Sequence, residues 1–232
     1  MTLYQQIQSE YPIVLIDTGY VNFYSLYATE FWFKLACRDI PEPEKDWMDS
    51  VEFIEKYEKM YLARFEKLFT KASFQAIPSI SAIKQSILHK LDDEQQQLMA
   101  QKRISKSELK KMTTANTKKR KQLIKIPFSQ FIFALDCPRK NIWRQEFFKT
   151  YKANRDVIYK KDTWKGGGIM GHTCRTLLPK LADIYKFPII GEPAFEGDDV
   201  IALTHRYIRQ NFPQKSIIII TNDHDMLQLI DG

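Results

Sequence analysis

The sequence predicts an α/β fold in which a mostly parallel, twisted sheet is flanked by helices. Short, unbroken apolar runs recur along the 232 residues, as expected of strands that are covered on both faces. Helical periodicity fills most of the chain between those runs, and this alternation is typical of parallel strands joined by helices. The runs that we interpret as strands are 13–16, 130–135, 187–190 and 216–220.

The first half of the chain is predominantly helical after the first strand. Residues 1–10 are polar and predict a short lead-in helix or arm. Apolar and aromatic residues are dense over 21–35, and we interpret this stretch as a buried helix whose aromatic side chains belong to the core. Amphipathic periodicity follows over 46–70 and 80–91. We therefore expect 38–125 to be a helical, basic insertion between the first two strands.

Two segments are strongly basic in a chain whose net charge is +7. Residues 102–125 contain a single acid, Glu108, among many lysines and arginines, and 138–165 interleaves basic with aromatic residues. A solvated, partly disordered loop or helix face explains the first segment as well as phosphate contact does, and the two are compatible. The charge suits a polyanionic partner such as nucleic acid.

The second half of the chain alternates strands with shorter helical stretches. Three glycines at 166–168 predict a flexible hinge, and a helix is expected over 176–186. Another helix is expected over 196–210, with Pro213 just beyond its end. These helices precede the third and fourth strands, respectively.

Cysteine usage and hydropathy exclude several classes of protein. Cys37, Cys137 and Cys174 are far apart and form neither a disulfide framework nor a zinc motif, which predicts a reducing, intracellular compartment. No basic-then-apolar signal peptide opens the chain, and no apolar run approaches the roughly 20 residues of a membrane span. We therefore expect no membrane partner.

Acidic residues follow every predicted strand. Because the carboxyl ends of parallel strands share one edge of a sheet, these side chains are expected to converge there. Such a cluster repels itself unless cations lie among its members. Mg²⁺ or Mn²⁺ suits an all-oxygen ligand set better than Zn²⁺, and two ions could act on a phosphodiester. The candidate metal ligands are Asp17, Asp136, Glu196, Asp198, Asp199, Asp223 and Asp225.

Each acidic position also has a simpler interpretation. Glu196, Asp198 and Asp199 together could be a charge-rich helix N-terminus, and one aspartate after a strand is common in turns. The recurrence of acids at all the predicted strand ends favours the metal site. His224 stands between two aspartates and is expected to point to the opposite face.

Basic and aromatic residues that follow the second strand should lie near the same edge. Arginine can grip a phosphate with two parallel hydrogen bonds, and lysine can place a point charge beside it. Tyr151 could stack on an unpaired base. A solvated helix face is the alternative for each residue. We favour phosphate contact for Lys152 and Arg155 and leave both interpretations open for Arg144 and Lys149.

These residues resemble the motifs of the 5′ nuclease superfamily, which comprises flap endonucleases and 5′→3′ exonucleases with a PIN-like fold. The similarity extends over 13–230 in the family's order, with spacing that fits the phage-like and bacterial branch. Its specific elements are Glu-x-Asp-Asp and Asp-x-Asp-x-x-Gln-Leu, and Tyr-Lys-x-x-Arg supports them. The matching segments are 15–17, 133–136, 143–146, 151–156, 195–199 and 221–229.

The resemblance implies roles for individual residues. It implies metal ligation, or contact with metal-bound water, for the seven carboxylates, with Asp17 and Asp199 among the catalytic residues. It also implies a catalytic phosphate contact by Lys152 and Arg155, and an arch-like segment over 156–180 through which a free 5′ end passes. The expected nucleic-acid-binding residues are Arg144, Lys149, Tyr151, Lys152, Arg155, Lys160, Lys161 and Lys165.

The implied activity is Mg²⁺-dependent, structure-selective hydrolysis of DNA at a 5′ single-stranded end or flap by a two-metal mechanism, in replication or repair. Residues 1–232 correspond to the N-terminal catalytic domain, and the insertion over 38–125 has no assigned role. The family's helix-turn-helix-like module for duplex DNA has no match here. The chain is therefore expected to be a fragment, to work with a partner, or to have lost part of the activity.

Two alternatives to a DNA nuclease are kept. The first is a module that binds branched or single-stranded nucleic acid without cleaving it. The second is a PIN-type ribonuclease, which would use the same carboxylate chemistry on RNA.

Overall fold

The computed structural model describes residues 8–75, 82–100, 105–123, 125–153 and 164–230. Four strands form one sheet in the order β3-β2-β1-β4, and every neighbouring pair is parallel. The predicted α/β class with a parallel sheet flanked by helices is therefore confirmed. The strands are β1 (Ile13–Asp17), β2 (Phe131–Ala134), β3 (Ile189–Ile190) and β4 (Ile217–Ile220).

The helices connect and cover these strands. A π-helical stretch (Thr173–Leu177) joins two of them, and short 3-10 turns occupy Trp47–Asp49, Phe128–Gln130, Arg139–Asn141 and His224–Leu229. No helix in the described ranges is long and apolar enough to cross a membrane. The α-helices are α1 (Thr18–Ala36), α2 (Val51–Gln75), α3 (Ala82–Ala100), α4 (Lys106–Leu123), α5 (Arg144–Phe147), α6 (Gly167–His172), α7 (Leu178–Tyr185) and α8 (Gly197–Asn211).

The sheet has a separate apolar cluster on each face, because successive side chains of a strand point to opposite sides. Val14 and Ile16 of β1 pack in the cluster that also contains buried residues of α1, α2, α6 and α7. Ile13 and Leu15 pack in the other cluster, together with buried residues of α8 such as Val200. Both faces are therefore covered, as the unbroken apolar runs predicted.

The sequence suggested that the aromatic side chains of α1 belong to the core, and this holds for Phe33 but not for several others. The buried residues of α1 include the small polar side chains Ser25 and Thr29, whereas Tyr24, Tyr27 and Phe31 are exposed. Ser25 and Thr29 hide their hydroxyls by donating hydrogen bonds to the carbonyls one turn earlier, each at 2.7 Å. The interpretation of these aromatic side chains as core was therefore wrong.

The insertion over 38–125 contributes directly to the core. Phe53, Tyr57, Tyr61 and Phe65 of α2 are fully buried against α1 and the sheet. The Tyr61 hydroxyl donates to Oδ1 of Asn22 at 3.0 Å, so α1 and α2 are also joined by a buried hydrogen bond. The insertion is thus part of the domain's structure.

The basic stretch of the insertion is helical. It forms α4, which lies against α3, and the amide of Asn116 donates to the carbonyl of Leu91 at 3.4 Å. The lysines that flank this contact, such as Lys110 and Lys118, are exposed. The described part of this stretch agrees with a solvated helix face, and phosphate contact by its lysines stays a prediction.

The three glycines at 166–168 do not form a linker between elements. Gly167 and Gly168 begin α6, and the helix starts there rather than at Thr176. The described part of the predicted arch-like segment, 164–180, packs on the body of the domain, with Ile169 and Leu178 fully buried. Residues 154–163 of that region, like the predicted lead-in at 1–7, lie outside the described residues.

Asp46 connects the insertion to α6, and its replacement by alanine should destabilise the protein. Oδ1 accepts from the backbone N–H of Met48 at 2.9 Å, and Oδ2 accepts from that of Gly168 at 2.7 Å. The alanine variant loses a capping carboxylate that also accepts a hydrogen bond from the start of α6. This should lower the free energy of unfolding by roughly 1–2 kcal/mol. Chemical denaturation measures this, with exposed Asp49→Ala as the control. Equal effects of the two changes would contradict the assignment.

Candidate active site

Four carboxylates lie at the carboxyl edge of the sheet, within electrostatic range of one another. Asp17 is the last residue of β1, and Asp136 and Asp223 follow β2 and β4 after short loops. Asp198 lies in the first turn of α8, and its electrostatic environment includes the other three. We name these four residues, Asp17, Asp136, Asp198 and Asp223, the acidic cluster. The parallel topology therefore brings residues together that are far apart in the chain.

Asp17 and Asp136 form the inner side of the acidic cluster. Oδ1 of Asp17 accepts from the backbone N–H of Tyr20 at 3.1 Å, and Oδ2 accepts from the Thr221 hydroxyl at 2.9 Å. Oδ1 of Asp136 accepts from the backbone N–H of Gly197 at 2.7 Å. Burial raises the pKa of Asp17, the charge of Asp136 adds to the rise, and the hydrogen bonds from Tyr20 and Thr221 oppose it.

Asp198 is the most strongly perturbed member of the acidic cluster. Burial, together with the negative charges of Asp17, Asp223 and Asp136, raises the pKa of Asp198 to about 6. No lysine or arginine of the described ranges forms an ion pair with any member of the cluster. Lys152 lowers the pKa of Asp198, but its effect is smaller than the others, so the negative charge of the cluster is only partly offset by its described surroundings.

Glu196 and Asp199 form a second group, which is neutralised. Glu196 is the N-cap of α8 and is only 5% exposed. Its carboxylate pairs with Nζ of Lys152 at 2.6 Å and with Nη1 of Arg144 at 2.8 Å. Arg144 also holds Asp199 through two hydrogen bonds, at 2.5 and 2.8 Å, in the bidentate geometry typical of arginine and carboxylate. We name Arg144, Lys152, Glu196 and Asp199 the paired group.

Two aromatic side chains extend the paired group. The Tyr151 hydroxyl donates to Glu196 at 2.9 Å, and the Trp143 indole donates to Asp199 at 3.2 Å. Burial raises the pKa of Tyr151, and the hydrogen bond to Glu196 adds to the rise. Burial would also raise the pKa of Asp199, but the hydrogen bonds from Arg144, the Glu196 backbone and Trp143 outweigh it and lower that pKa.

Lys152 has a constrained backbone that fixes its side chain. Its φ is 54°, in the left-handed region that non-glycine residues rarely adopt. The Arg139 guanidinium donates a hydrogen bond to the Lys152 carbonyl and so supports this conformation. An unfavourable backbone conformation at a residue whose ammonium group contacts Glu196 is consistent with a functional position.

The remaining predicted residues are placed as follows. Asp225 is exposed, and its backbone N–H, rather than its carboxylate, contacts Asp223 at 2.9 Å. Lys149 is exposed, and Lys165 pairs with Glu42 of the insertion at 3.3 Å. His224 lines a cavity together with Asp17 and Asp223, so it does not lie on the opposite face as expected. Arg155, Lys160 and Lys161 lie outside the described residues.

The acidic cluster fits a hard divalent cation in its chemistry, although no ready-made coordination shell is present. Among the described residues, no three histidine, cysteine or acidic side chains are close enough together to hold a metal ion. The cluster nevertheless offers only oxygen donors, which Mg²⁺ and Mn²⁺ prefer. Negative charges of other members also raise the pKa values of Asp17 and Asp198, a repulsion that a bound cation would remove.

A cavity of about 400 Å³ opens beside the site. Its lining includes the charged side chains of Asp136, Glu196 and Lys152 and the aromatic side chains of Phe23 and Trp164. A concave space that combines a few charged groups with aromatic rings can accommodate an organic ligand next to the carboxylates.

Sequence reasoning missed three residues of the site. Thr221 binds Asp17, Trp143 binds Asp199, and Arg139 supports Lys152. Thr221 directly follows β4, and that position was the available signal for it. Trp143 is the first residue of the matching segment 143–146, which was the available signal for it. Arg139 binds the Lys152 carbonyl across 13 positions, and no local pattern reveals that contact.

Gly19 brings the backbone close to the acidic cluster, and its replacement by alanine should weaken the site. A Cβ at Gly19 would lie 3.1 Å from Oδ1 of Asp17 and 3.2 Å from Oδ2 of Asp136. Moving these oxygens by a few tenths of an ångström should cost about tenfold in metal affinity. Calorimetric titration with Mn²⁺ measures this. At Gly167 the nearest atom to a Cβ is 3.7 Å away, so Gly167→Ala is the control, and equal losses would refute the assignment.

Comparison with known proteins identifies the family. Residues 93–232 match the model of the 5′-3′ exonuclease, N-terminal resolvase-like domain, family. The chain is 32% identical over 117 residues to a 5′-3′ exonuclease of Buchnera aphidicola subsp. Baizongia pistaciae (strain Bp), which covers 48% of this chain and 33% of that protein. It is 25% identical over 114 residues to the Ribonuclease H of Enterobacteria phage T4, covering 49% of this chain and 35% of that protein.

These matches cover only part of this chain and part of each relative. The matched segment spans about a third of the length of each of these relatives. The family match begins at residue 93, so it includes β2, β3, β4 and the paired group but not β1 with Asp17. It nonetheless covers more than half of the chain, and it agrees with the resemblance seen in the motifs. The chain belongs to the family of the 5′-3′ exonuclease N-terminal resolvase-like domain.

Proposed function

We propose that this protein is a Mg²⁺- or Mn²⁺-dependent 5′ nuclease that hydrolyses phosphodiesters of DNA at a 5′ single-stranded end or flap. The observation that supports this most strongly is the division of the carboxylates into two groups. The acidic cluster carries excess negative charge that suits a cation, and the adjoining paired group holds two cationic side chains that suit a phosphate. A site with both features side by side matches the chemistry of phosphodiester hydrolysis.

The acidic cluster would hold the metal. A bound divalent ion supplies positive charge at the scissile phosphate and lowers the pKa of water to give a nucleophile near neutral pH. Asp17 is oriented for this role by Tyr20 and Thr221, and Asp136 by Gly197. The four members of the acidic cluster are the proposed ligands of the first ion, and Glu196, Asp199 and Asp225 are the candidates for the second.

The paired group would receive the phosphate. Arg144 and Lys152 are partly exposed, at 27% and 23% of their side-chain surface, so a substrate can reach them. A phosphate oxygen can replace a carboxylate as the acceptor of their hydrogen bonds, because both are anionic oxygens. Arg155, which lies outside the described residues, is proposed to act with Lys152. When a phosphate replaces a carboxylate in this way, substrate binding would weaken the ion pairs that Arg144 and Lys152 form with Glu196 and Asp199.

Cleavage of a 5′-flap DNA tests the proposal. The expected result is a product with a 5′-phosphate that forms with Mg²⁺ or Mn²⁺ and is abolished by EDTA. Asp136→Asn should abolish it as well, whereas Asp183→Asn, an exposed surface change, should not. Activity that survives chelation, or activity in the Asp136→Asn variant, would sink the proposal.

A second candidate is a module that binds nucleic acid without cleaving it. It is favoured by the absence, within the described ranges, of three assembled metal-binding side chains and by the engagement of Glu196 and Asp199 with cations. Tight, salt-sensitive binding without product under any metal would support it. Cleavage of matched DNA and RNA flaps should also be compared, because one relative is named Ribonuclease H. A role in replication or repair is proposed with the DNA activity.

A further inference from the structure

An aromatic stripe runs along α1, from Tyr20, which is half-buried against the core, to three exposed rings on the side that faces away from it. Its members stand four, three and four positions apart, which places them in one row on a helix. Tyr24, Tyr27 and Phe31 are 47%, 53% and 69% exposed, and the buried residues of α1 lie on the opposite side. We define the aromatic stripe as Tyr20, Tyr24, Tyr27 and Phe31. Large exposed rings in a continuous row indicate a binding surface.

The insertion supplies cations to this surface. The Arg64 guanidinium of α2 lies 3.1 Å from the centroid of the Tyr24 ring. Lys56 precedes Arg64 in α2, and its Nζ lies 3.5 Å from the ring centroid of Trp32, which borders the stripe. Trp164 borders the other side, 6.3 Å from the Tyr27 ring. Aromatic rings interleaved with cations are the surface on which single-stranded nucleic acids stack.

The aromatic stripe begins at the acidic cluster. The backbone N–H of Tyr20 binds Asp17, and a cavity of about 550 Å³ is lined jointly by Asp17, Asp223, Tyr24 and Tyr27. From Tyr20 to Phe31 the helix rises by roughly 16 Å, enough for a few nucleotides. A strand whose phosphate lies at the carboxylates can therefore continue along the stripe without leaving the protein surface.

We propose that the aromatic stripe is a stacking platform for the unpaired bases of a single-stranded nucleic acid whose backbone reaches the candidate active site. The identity of the ligand rests on the proposed function. A nucleic acid is favoured over a protein partner because Arg64 and Lys56 lie over rings of the stripe and its border, and because the stripe is continuous with the candidate active site. The insertion thereby acquires a role, since α2 carries both cations.

Binding of a short oligothymidylate in EDTA tests the platform. Tyr27→Leu with Phe31→Leu keeps apolar surface but removes the stacking faces, and should weaken binding about tenfold or more. Tyr27→Phe, which keeps the ring, should bind like the unaltered protein. An abasic strand of the same length should bind the double leucine variant and the unaltered protein equally. Tyr207→Leu, on α8 and 48% exposed, is the matched control and should change nothing.

Three outcomes would overturn the proposal. The first is unchanged affinity of the double leucine variant for the base-bearing strand, and the second is an equal loss for the abasic strand. The third is a dimer in sedimentation equilibrium that the leucine changes dissociate, which would assign the stripe to a second copy of the chain. Binding is measured without metal, so it does not depend on catalysis. If the protein stacks bases but cleaves nothing, only the proposed nuclease activity is refuted. A protein that cleaves flaps with unchanged affinity in the leucine variant refutes only the platform.

Discussion

Asp198→Asn should abolish cleavage and at the same time make the metal-free protein more stable. Asp198 is surrounded by Asp17, Asp136 and Asp223, which together with burial raise its pKa to about 6. Replacing it by a neutral amide relieves this repulsion and should raise the free energy of unfolding at neutral pH by roughly 1 kcal/mol, with solvent screening allowed for. The same change removes a proposed metal ligand, so cleavage should fall by about a hundredfold or more.

The pH dependence of stability gives this prediction a defined sign. The carboxyl of Asp198 has an ordinary pKa of 3.8 and a folded-state pKa of about 6, so the folded protein binds more protons between these values. The stability of the metal-free protein should therefore fall as the pH rises from about 4 to about 6 and stay lower above that. Asp17, whose pKa is also raised, contributes in the same direction. Thermal unfolding in EDTA measures the slope, and Asp198→Asn should reduce it.

Magnesium should stabilise the unaltered protein more than the Asp198→Asn variant. A cation at the acidic cluster offsets the repulsion, so Mg²⁺ should raise the unfolding temperature of the unaltered protein and have a smaller effect on Asp198→Asn. Asp183→Asn is the control, since Asp183 is an exposed carboxylate paired with Lys186 on the surface. A variant at Asp198 that is less stable than the unaltered protein at neutral pH, or that cleaves at an undiminished rate, contradicts the role assigned to Asp198.

The sheet and the positions of the acids could be predicted from the sequence because both depend on local patterns. Unbroken apolar runs mark strands buried on two faces, and parallel pairing then brings Asp17, Asp136 and Asp223 to one edge. The orientation of α1 could not be predicted in the same way. Its core face contains Ser25 and Thr29, whose hydroxyls bind the helix's own carbonyls, and this leaves the more apolar tyrosines outside.

The division of the carboxylates could not be predicted from local patterns either. Glu196, Asp198 and Asp199 are adjacent in the chain, yet the first and last bind Arg144 while the middle one faces the acidic cluster. Helix geometry explains the difference, because neighbouring residues at the start of α8 point in different directions. Which of them meets a cation depends on Arg144, more than fifty positions away in the chain, and on the path of the loop that carries it.

Arg144→Met should destabilise the protein and weaken cleavage while strengthening metal binding in the absence of nucleic acid. Arg144 is shared by Glu196, which is 5% exposed, and Asp199. Without the guanidinium these carboxylates repel each other in a partly buried environment, which should cost roughly 2–3 kcal/mol of stability. Loss of the bidentate phosphate contact should lower the cleavage rate by about a hundredfold.

The affinity for Mn²⁺ distinguishes the specific effect of Arg144→Met from a general loss of stability. Glu196 and Asp199 lose the cation that competes with a divalent ion, so calorimetric titration of Arg144→Met with Mn²⁺ should show a lower dissociation constant than in the unaltered protein. Arg206→Met, at an exposed position of α8, removes the same charge and should change neither stability nor Mn²⁺ affinity.

A double variant tests whether the loss of stability arises within the paired group. Adding Asp199→Asn to Arg144→Met removes one of the two carboxylates that are left without their cation, so part of the lost stability should return. Additive destabilisation by the two changes would show that Arg144 stabilises the protein in some other way. Weaker Mn²⁺ binding by Arg144→Met would show that Glu196 and Asp199 do not exchange Arg144 for a metal ion, and the proposed coupling between phosphate and metal binding would then fail.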